Sequence, residues 1–436
     1  MRKSVCAVLA CVLTLSLTAC SNTSGEEWIS EDVVVGTSIV GVVTKDKTDT
    51  NETNAQQIGD DTRKTDEEAA NGKVTKTTVK NAVTTLPGNT RTRRTTGVEK
   101  KTTTRRVAAY AARSVTELIA NEQIRLIGRQ AVTADAIVMD YNNATVKLYG
   151  ELEGSVKMNV SNTAAQDCYV YVVVDGDAAK AKQLVIGKND YVVELCSNLK
   201  KGKHTVEIIR ATCCDWKSLE IYSFTYKGFL EKPPAAKLQI EFLGDSITCA
   251  VGAVMADNTY QLGAKWQDGF RSYAAITARN LNADASVLSL SGRTTEQVYK
   301  KFNDIRSDGD DNAWDLAANK QDIVVINLGT NDRIFGVDAA TVKSAVNGLL
   351  RDIRTAYGKD TYIIWAYGMM IDNNLSTYKN LVQTYAADKN DDRILFCDLS
   401  SVKNTAGWSS HPNEKGQKDA AVLLTDFIRK NCKDAL

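Results

Sequence analysis

Lys237-Leu238-Gln239-Ile240-Glu241-Phe242-Leu243-Gly244-Asp245-Ser246-Ile247-Thr248 is an apolar strand pattern that runs directly into a turn of small residues. A strand that ends in glycine and a small hydroxyl residue, then starts a helix, sets that hydroxyl beside unpaired helix N-terminal N–H groups. Such a place suits a nucleophile whose attack creates an oxyanion. Gly-Asp-Ser by itself is also an ordinary turn, so its meaning depends on what the rest of the chain brings to it.

Downstream, apolar strand patterns at 238–243, 285–290, 322–328, 361–367 and 393–397 alternate with helical patterns. In one of these, Val342, Val346, Leu349, Leu350 and Ile353 form a 3.6-residue stripe, with Asp338 placed to cap it. Alternating strand and helix predicts a parallel sheet flanked by helices, with sites beyond the carboxyl ends of the strands. The first strand leads into Gly244-Asp245-Ser246, the second into Ser291-Gly292-Arg293, and the third into Gly329-Thr330-Asn331-Asp332. His411-Pro412 stands before the last helix. All four groups therefore fall on one rim of the sheet.

Upstream, short Val/Ile/Tyr-rich runs at 145–149, 155–160, 168–174, 191–195, 203–210 and 219–226 are separated by turn residues such as Asp175-Gly176. They predict an antiparallel β-sandwich, jelly-roll-like, over residues 113–232. Pro233-Pro234 closes it, because consecutive prolines continue neither ladder nor helix. The region of alternating strand and helix is then 235–436. Residues 21–112 are rich in Thr, Lys, Arg, Asp and Asn and poor in aromatics, the composition of a disordered tether. Acidic residues collect between 46 and 68 and basic ones between 91 and 106, and the patch 33–43 is unexpectedly apolar. A coil of about 90 residues reaches roughly 50–60 Å.

The chain opens with Met1-Arg2-Lys3 and an apolar run, a secretory signal pattern over residues 1–20. It ends Leu17-Thr18-Ala19-Cys20, which resembles the lipobox of bacterial lipoproteins, where the cysteine becomes the lipidated N-terminus. No later stretch approaches the roughly 20 apolar residues that span a bilayer, so the expected membrane attachment is a lipid on Cys20. With 436 residues, 43% hydrophobic, 25% charged and a net charge of +1, the composition is globular and argues against a nucleic-acid partner. Ten cysteines contain no CxxC pair, and no metal site or cofactor is indicated.

The order GDS, a strand-end glycine, GTND and a C-terminal HP resembles the SGNH (GDSL-type) hydrolases. With Val172-Val173-Val174-Asp175-Gly176, Lys201-Gly202-Lys203-His204-Thr205-Val206 and Gly244-Asp245-Ser246-Ile247-Thr248-Cys249, the chain is similar to carbohydrate esterase family two, two-domain acetyl esterases of plant-polysaccharide breakdown. The resemblance implies Ser246 as nucleophile and an oxyanion hole formed by the N–H groups of Ser246 and Gly292 and the amide of Asn331. The chain has two histidines; His204 lies in register with apolar residues of a strand and reads as structural, which leaves His411 as base. The ring must be neutral to take the serine proton, so activity is expected to fall below a pKa near neutrality.

One position departs from the pattern. Most SGNH hydrolases carry an aspartate three residues before the histidine, where this chain has Trp408. Either a backbone carbonyl near Trp408 orients the ring, giving a Ser-His dyad, or a distant carboxylate does; the resemblance favours the carbonyl. Asp245 and Asp332 read as turn-stabilising, and Trp408 is the expected substrate contact, with Trp266 and Trp314 assigned to packing. The expected partner is an acetylated polysaccharide, xylan or glucomannan. Rival readings are a cell-wall O-acetyl esterase, a lipase-like GDSL enzyme, and a non-catalytic carbohydrate-binding lipoprotein.

Overall fold

The computed structural model describes residues 109–436 apart from 163, 165, 215–217, 256–262, 309–312, 372 and 404–406, together with residues 32–35 and 38–41. The signal segment, the lipidation candidate Cys20 and most of the expected tether lie outside the described residues. Within the apolar patch, Asp32–Val35 (β1) and Ser38–Gly41 (β2) pair antiparallel.

Period-two burial organises the chain from 111 to 230. In Thr145–Asn162, Val146, Leu148, Leu152, Val156, Met158 and Val160 are buried, while Lys147, Tyr149 and Glu151 are not. The elements are β3 (Ala111–Ser114), α1 (Val115–Ala120), β4 (Ile124–Ile127), β5 (Gln130–Val132), β6 (Ile137–Met139), β7 (Thr145–Asn162), β8 (Cys168–Val174), β9 (Lys182–Ile186), β10 (Asn189–Arg210) and β11 (Leu219–Leu230). They pair in the order β5-β6-β11-β7-β10-β8-β9, with β3 added to β11 and β4 to β7, all antiparallel. The runs expected as separate strands at 145–149 and 155–160 are one strand, β7, and those at 191–195 and 203–210 are both in β10. Glycines 150 and 154 bend β7 without ending it, and β10 follows through register shifts between Glu194 and Gly202.

Residues 238–398 hold a purely parallel sheet of β12 (Leu238–Gly244), β13 (Ala283–Ser289), β14 (Ile323–Asn327), β15 (Tyr362–Tyr367) and β16 (Ile394–Asp398), in the order β13-β12-β14-β15-β16. The helices are α2 (Tyr273–Asn280), α3 (Thr295–Tyr299), α4 (Thr330–Ile334), α5 (Ala339–Tyr357), α6 (Leu375–Lys389) and α7 (Glu414–Asn431). Ile240, Phe242 and Ile364 pack with Tyr273, Leu424 and Ile428 of α2 and α7 on one face. Leu243, Ile326 and Trp365 pack with Val346, Leu350 and Tyr378 of α5 and α6 on the other. Asp338 caps α5, accepting from the N–H groups of Ala340 and Thr341. The chain leaves β12 for β13 on one side and returns to β14 on the other, so the strand order reverses at β12. Ligand sites of such sheets lie beyond the carboxyl ends of the strands at this kind of reversal, and Ser246 lies past the carboxyl end of β12.

A buried ion pair joins the two sheets. Arg129, just before β5, donates from Nε and Nη2 to Glu241 Oε1 on β12 at 3.1 and 2.9 Å. Its Nη1 donates to the carbonyls of Phe302 and Asp304 at 2.8 and 2.7 Å, and the Tyr357 hydroxyl donates to Glu241 Oε2 at 2.7 Å. Arg129 also lies over the rings of Phe302 and Trp314. Neither ion reaches solvent, so breaking the pair strands a charge in the core. Arg129→Met is therefore expected to lower unfolding stability by about 3–5 kcal/mol, measured by urea denaturation, and adding Glu241→Leu should recover most of that loss.

Candidate active site

Ser246 stands two residues past the end of β12 and is buried. The expected helix directly after it is not there: residues 246–254 form consecutive turns, and among the described residues the first α-helix in this connection starts at Tyr273. Val251 N–H donates to Ser246 O at 3.1 Å and Cys249 N–H to Asp245 O at 3.0 Å, but Ala250 and Gly252 have φ of 56° and 67°, which stops helix propagation. Among the described residues, the segment after Ser246 therefore offers its hydroxyl no helix N-terminus of its own. Gly252 is also required by packing, since a Cβ there would meet Trp408 at 2.6 Å.

His411 reaches the serine from the loop before α7. Its Nε2 lies 2.7 Å from Ser246 Oγ, and its Nδ1 lies 2.7 Å from the Trp408 carbonyl oxygen. A carbonyl only accepts, so Nδ1 carries the ring proton and the Nε2 lone pair accepts from the serine hydroxyl. The Trp408 carbonyl also accepts from the His411 backbone N–H at 2.9 Å. This closes a turn whose central residues, Ser409 and Ser410, have φ of 48° and 65°. Two such residues in a row mark a type I′ turn, a conformation that costs serine of order 1–3 kcal/mol. The turn brings the carbonyl to the ring where an aspartate stands in most SGNH hydrolases.

Burial holds the His411 pKa down to about 4, and its bonds to the loop backbone offset this only in part. The unfolded chain takes up that proton first, near 6.5, so folding stability declines as pH falls from there toward 4. Asp245 moves the other way. Complete burial raises its carboxyl to about 7, the Ile247 N–H donating to it at 3.0 Å counteracts, and Asp332 adds repulsion. Asp332 is likewise raised by burial, and Thr295 donates to it from N–H and hydroxyl at 2.8 and 3.0 Å.

Asn331 lies in α4, at the carboxyl end of β14. Its amide donates to the Arg293 carbonyl at 3.0 Å and to Asp245 Oδ2 at 3.3 Å, the second a long bond. Gly292, on the turn after β13, has φ 68°, a value that favours glycine. Arg293 is exposed. The Trp408 ring is half-buried, 5.6 Å from the His411 ring at a 30° tilt, and rests on Cys213, Cys249 and Val251.

The structure thus joins Ser246, His411 and Trp408, links Asn331 to Asp245, and sets Gly292 beside the residue whose carbonyl holds Asn331. It keeps His204 apart, between Asp175 Oδ2 at 2.9 Å and the Lys200 carbonyl at 2.7 Å. Two buried amides escaped the sequence reading. Gln417 Nε2 of α7 donates to the Ile247 carbonyl at 3.1 Å, and Asn142 Nδ2, from the loop between β6 and β7, donates to the Thr248 carbonyl at 3.1 Å. Neither lies in a motif, because each reaches the serine turn only through tertiary packing.

In comparisons with known proteins, residues 242–418 match the GDSL-like Lipase/Acylhydrolase family. The chain is 25% identical over 312 residues to the cellulase/esterase CelE of Acetivibrio thermocellus, covering 66% of this chain and 36% of that protein. It therefore spans about a third of that relative's length. It is 22% identical over 336 residues to an acetylxylan esterase / glucomannan deacetylase of Cellvibrio japonicus, covering 73% of this chain and 92% of that protein. A family two carbohydrate esterase from Clostridium thermocellum, solved in complex with cellohexaose, superposes with a TM-score of 0.64 at 25% identity, over 72% of this chain and 100% of that one.

The two histidines should titrate apart. In nitrogen-15 NMR spectra of histidine-labelled protein, His411 is expected to stay neutral until the pH nears 4, whereas His204, raised by the Lys200 carbonyl and Asp175 against its partial burial, should protonate above 6.5.

Proposed function

We propose that this chain, whose residues 242–418 form a carboxylic ester hydrolase domain of the GDSL-like Lipase/Acylhydrolase family, is a serine esterase that removes acetyl groups from polysaccharide of the xylan or glucomannan type. The observation that carries the reading is the buried relay from Ser246 Oγ to His411 Nε2 and from His411 Nδ1 to the Trp408 carbonyl, 2.7 Å at each link. Likeness to an acetylxylan esterase / glucomannan deacetylase over most of its length supports the substrate class.

In the proposed mechanism His411 Nε2 takes the hydroxyl proton as Ser246 Oγ bonds to the acetyl carbonyl carbon. The carbonyl oxygen gains the negative charge and is held by the N–H groups of Ser246 and Gly292 and by the Asn331 amide. The long bond from Asn331 to Asp245 is the one exchanged for the oxyanion. Collapse breaks the bond to the sugar oxygen, which leaves with the proton from Nε2. Water then attacks the acetyl-serine, giving its proton to Nε2, and acetate departs as Ser246 regains a hydrogen. The imidazolium that forms twice keeps its Nδ1–H on the Trp408 carbonyl, so the ring does not turn away. The Trp408 ring offers an apolar face on which a sugar can stack.

We further read residues 113–232 as a jelly-roll-like module, 235–436 as the catalytic domain, and 1–20 as a lipoprotein signal. Cys20 would carry the lipid and 21–112 would tether the enzyme outside the cytoplasm.

Ser246→Ala should abolish acetate release from aryl acetate, acetylated xylan and acetylated glucomannan. Retained turnover in that variant, or no turnover of any ester by the parent, contradicts the proposal; preference for acetylated peptidoglycan or long-chain esters would redirect the substrate assignment. Asn331→Ala is expected to lower kcat by roughly a hundred- to thousandfold. Because only the neutral His411 ring accepts the serine proton, the loss of kcat/KM for aryl acetate that His411 protonation causes should come as the pH drops through about 4, separate from any step near 7 as Asp245 titrates. This replaces the near-neutral limit expected from sequence.

A further inference from the structure

We infer that Asn142, contributed by the antiparallel module, is a positioning residue for catalysis, locking the serine turn to the strand that carries the oxyanion loop. The inference rests on Ser246 as nucleophile. Asn142 is fully buried on the loop between β6 and β7. Its Nδ2 donates to the Thr248 carbonyl, two residues beyond Ser246, at 3.1 Å. Its Oδ1 accepts from the Ser289 hydroxyl at 2.6 Å, and Ser289 ends β13, three residues before Gly292. Ser289 Oγ in turn accepts from the Cys249 thiol at 3.3 Å. Because Thr248 and Cys249 are adjacent, these bonds form a closed ring.

The ring spans the two backbone segments whose N–H groups would face the oxyanion. Those donors belong to separate loops, and their spacing must hold within a few tenths of an ångström for both to reach one oxygen. Nothing covalent fixes that spacing. Gln417 Nε2 holds the Ile247 carbonyl while its Oε1 accepts from the Tyr273 N–H at 2.8 Å, so successive carbonyls after Ser246 are each held by a buried amide. The Asn142 side chain has no room to retreat: a Cβ on Gly269 would lie 2.7 Å from its Cβ and Nδ2. The antiparallel module is therefore part of the catalytic machinery's support, whatever else it binds.

The test is steady-state hydrolysis of aryl acetate by the full chain bearing Asn142→Asp or Ser289→Ala, with thermal melts of each. Asn142→Asp keeps the size and, assayed at alkaline pH so that the buried carboxyl is ionised, has no hydrogen for the Thr248 carbonyl. Ser289→Ala removes the link between Asn142 and β13 and, with it, the acceptor of the Cys249 thiol. The inference predicts kcat lowered about tenfold or more in Asn142→Asp and at least threefold in Ser289→Ala, with KM within twofold of the parent, since misplacement acts on the transition state. Should Asn142→Asp not fold, Ser289→Ala decides alone. A folded variant with unchanged kcat, or a loss confined to KM, overturns the inference. Ser246→Ala assayed alongside separates the failures: an active Ser246→Ala refutes the nucleophile, whereas an inactive one beside a fully active Ser289→Ala refutes only the role of Asn142.

Discussion

The hydrogen bond from His411 Nδ1 to the Trp408 carbonyl, 2.7 Å long, meets a constraint that the rest of the site is shaped around. A buried imidazole beside a serine needs an acceptor on its far nitrogen to hold one tautomer. A carboxylate supplies that acceptor together with a charge that favours imidazolium. A carbonyl supplies only the acceptor, and with no ionised partner burial drives the ring pKa down. The loop that aims the carbonyl does so through two serines in left-handed conformation. It is held by Trp408 packing on Cys213, Cys249 and Val251, with Gly252 leaving space for the Trp408 backbone and Cβ. Backbone strain of this kind persists where the surrounding packing over-determines it.

The same dependence runs outward to the antiparallel module. Arg129 and Glu241 are a fully buried ion pair across the two sheets, and Glu241 lies on the strand that delivers Ser246. Arg125 adds a second link, donating to Asp284 of β13 at 2.6 Å. Asn142 adds a third, to the serine turn itself. Removing either partner of a buried pair is more damaging than replacing both, so the two sheets are coupled energetically as well as spatially. An arrangement of this kind differs from a detachable binding module on a flexible linker, whose loss would leave the catalytic core intact.

Much of this was legible from residue patterns. The five parallel strands announce themselves as apolar runs, because a strand buried on both faces has no polar alternation to obscure it. Gly244-Asp245-Ser246, Gly292, Asn331 and His411 stand out because the alternation of strand and helix puts their loops at one rim. What escaped the reading has a common physical origin in long-range packing. The turn after Ser246 reads as a helix start because nothing in residue type marks Ala250 as left-handed. The runs at 145–149 and 155–160 read as separate strands, yet pairing with β10 and β11 carries β7 through the residues between them. A main-chain carbonyl has no residue signature, so the loop before His411 could only leave its orienting group open between a carbonyl and a carboxylate. The pKa of His411 depends on burial that local sequence does not encode. Asn142 and Gln417 are unremarkable amides until the fold brings them under the serine.

The central claim is that Ser246 is acylated during turnover with His411 as its base. Rapid acid quenching during hydrolysis of an aryl acetate, followed by peptide mapping by mass spectrometry, addresses it directly. The account predicts an acetyl group on the peptide containing Ser246, formed by the parent and undetectable in His411→Ala. Acetylation of a different residue, or undiminished acetylation of Ser246 without the His411 ring, would contradict it.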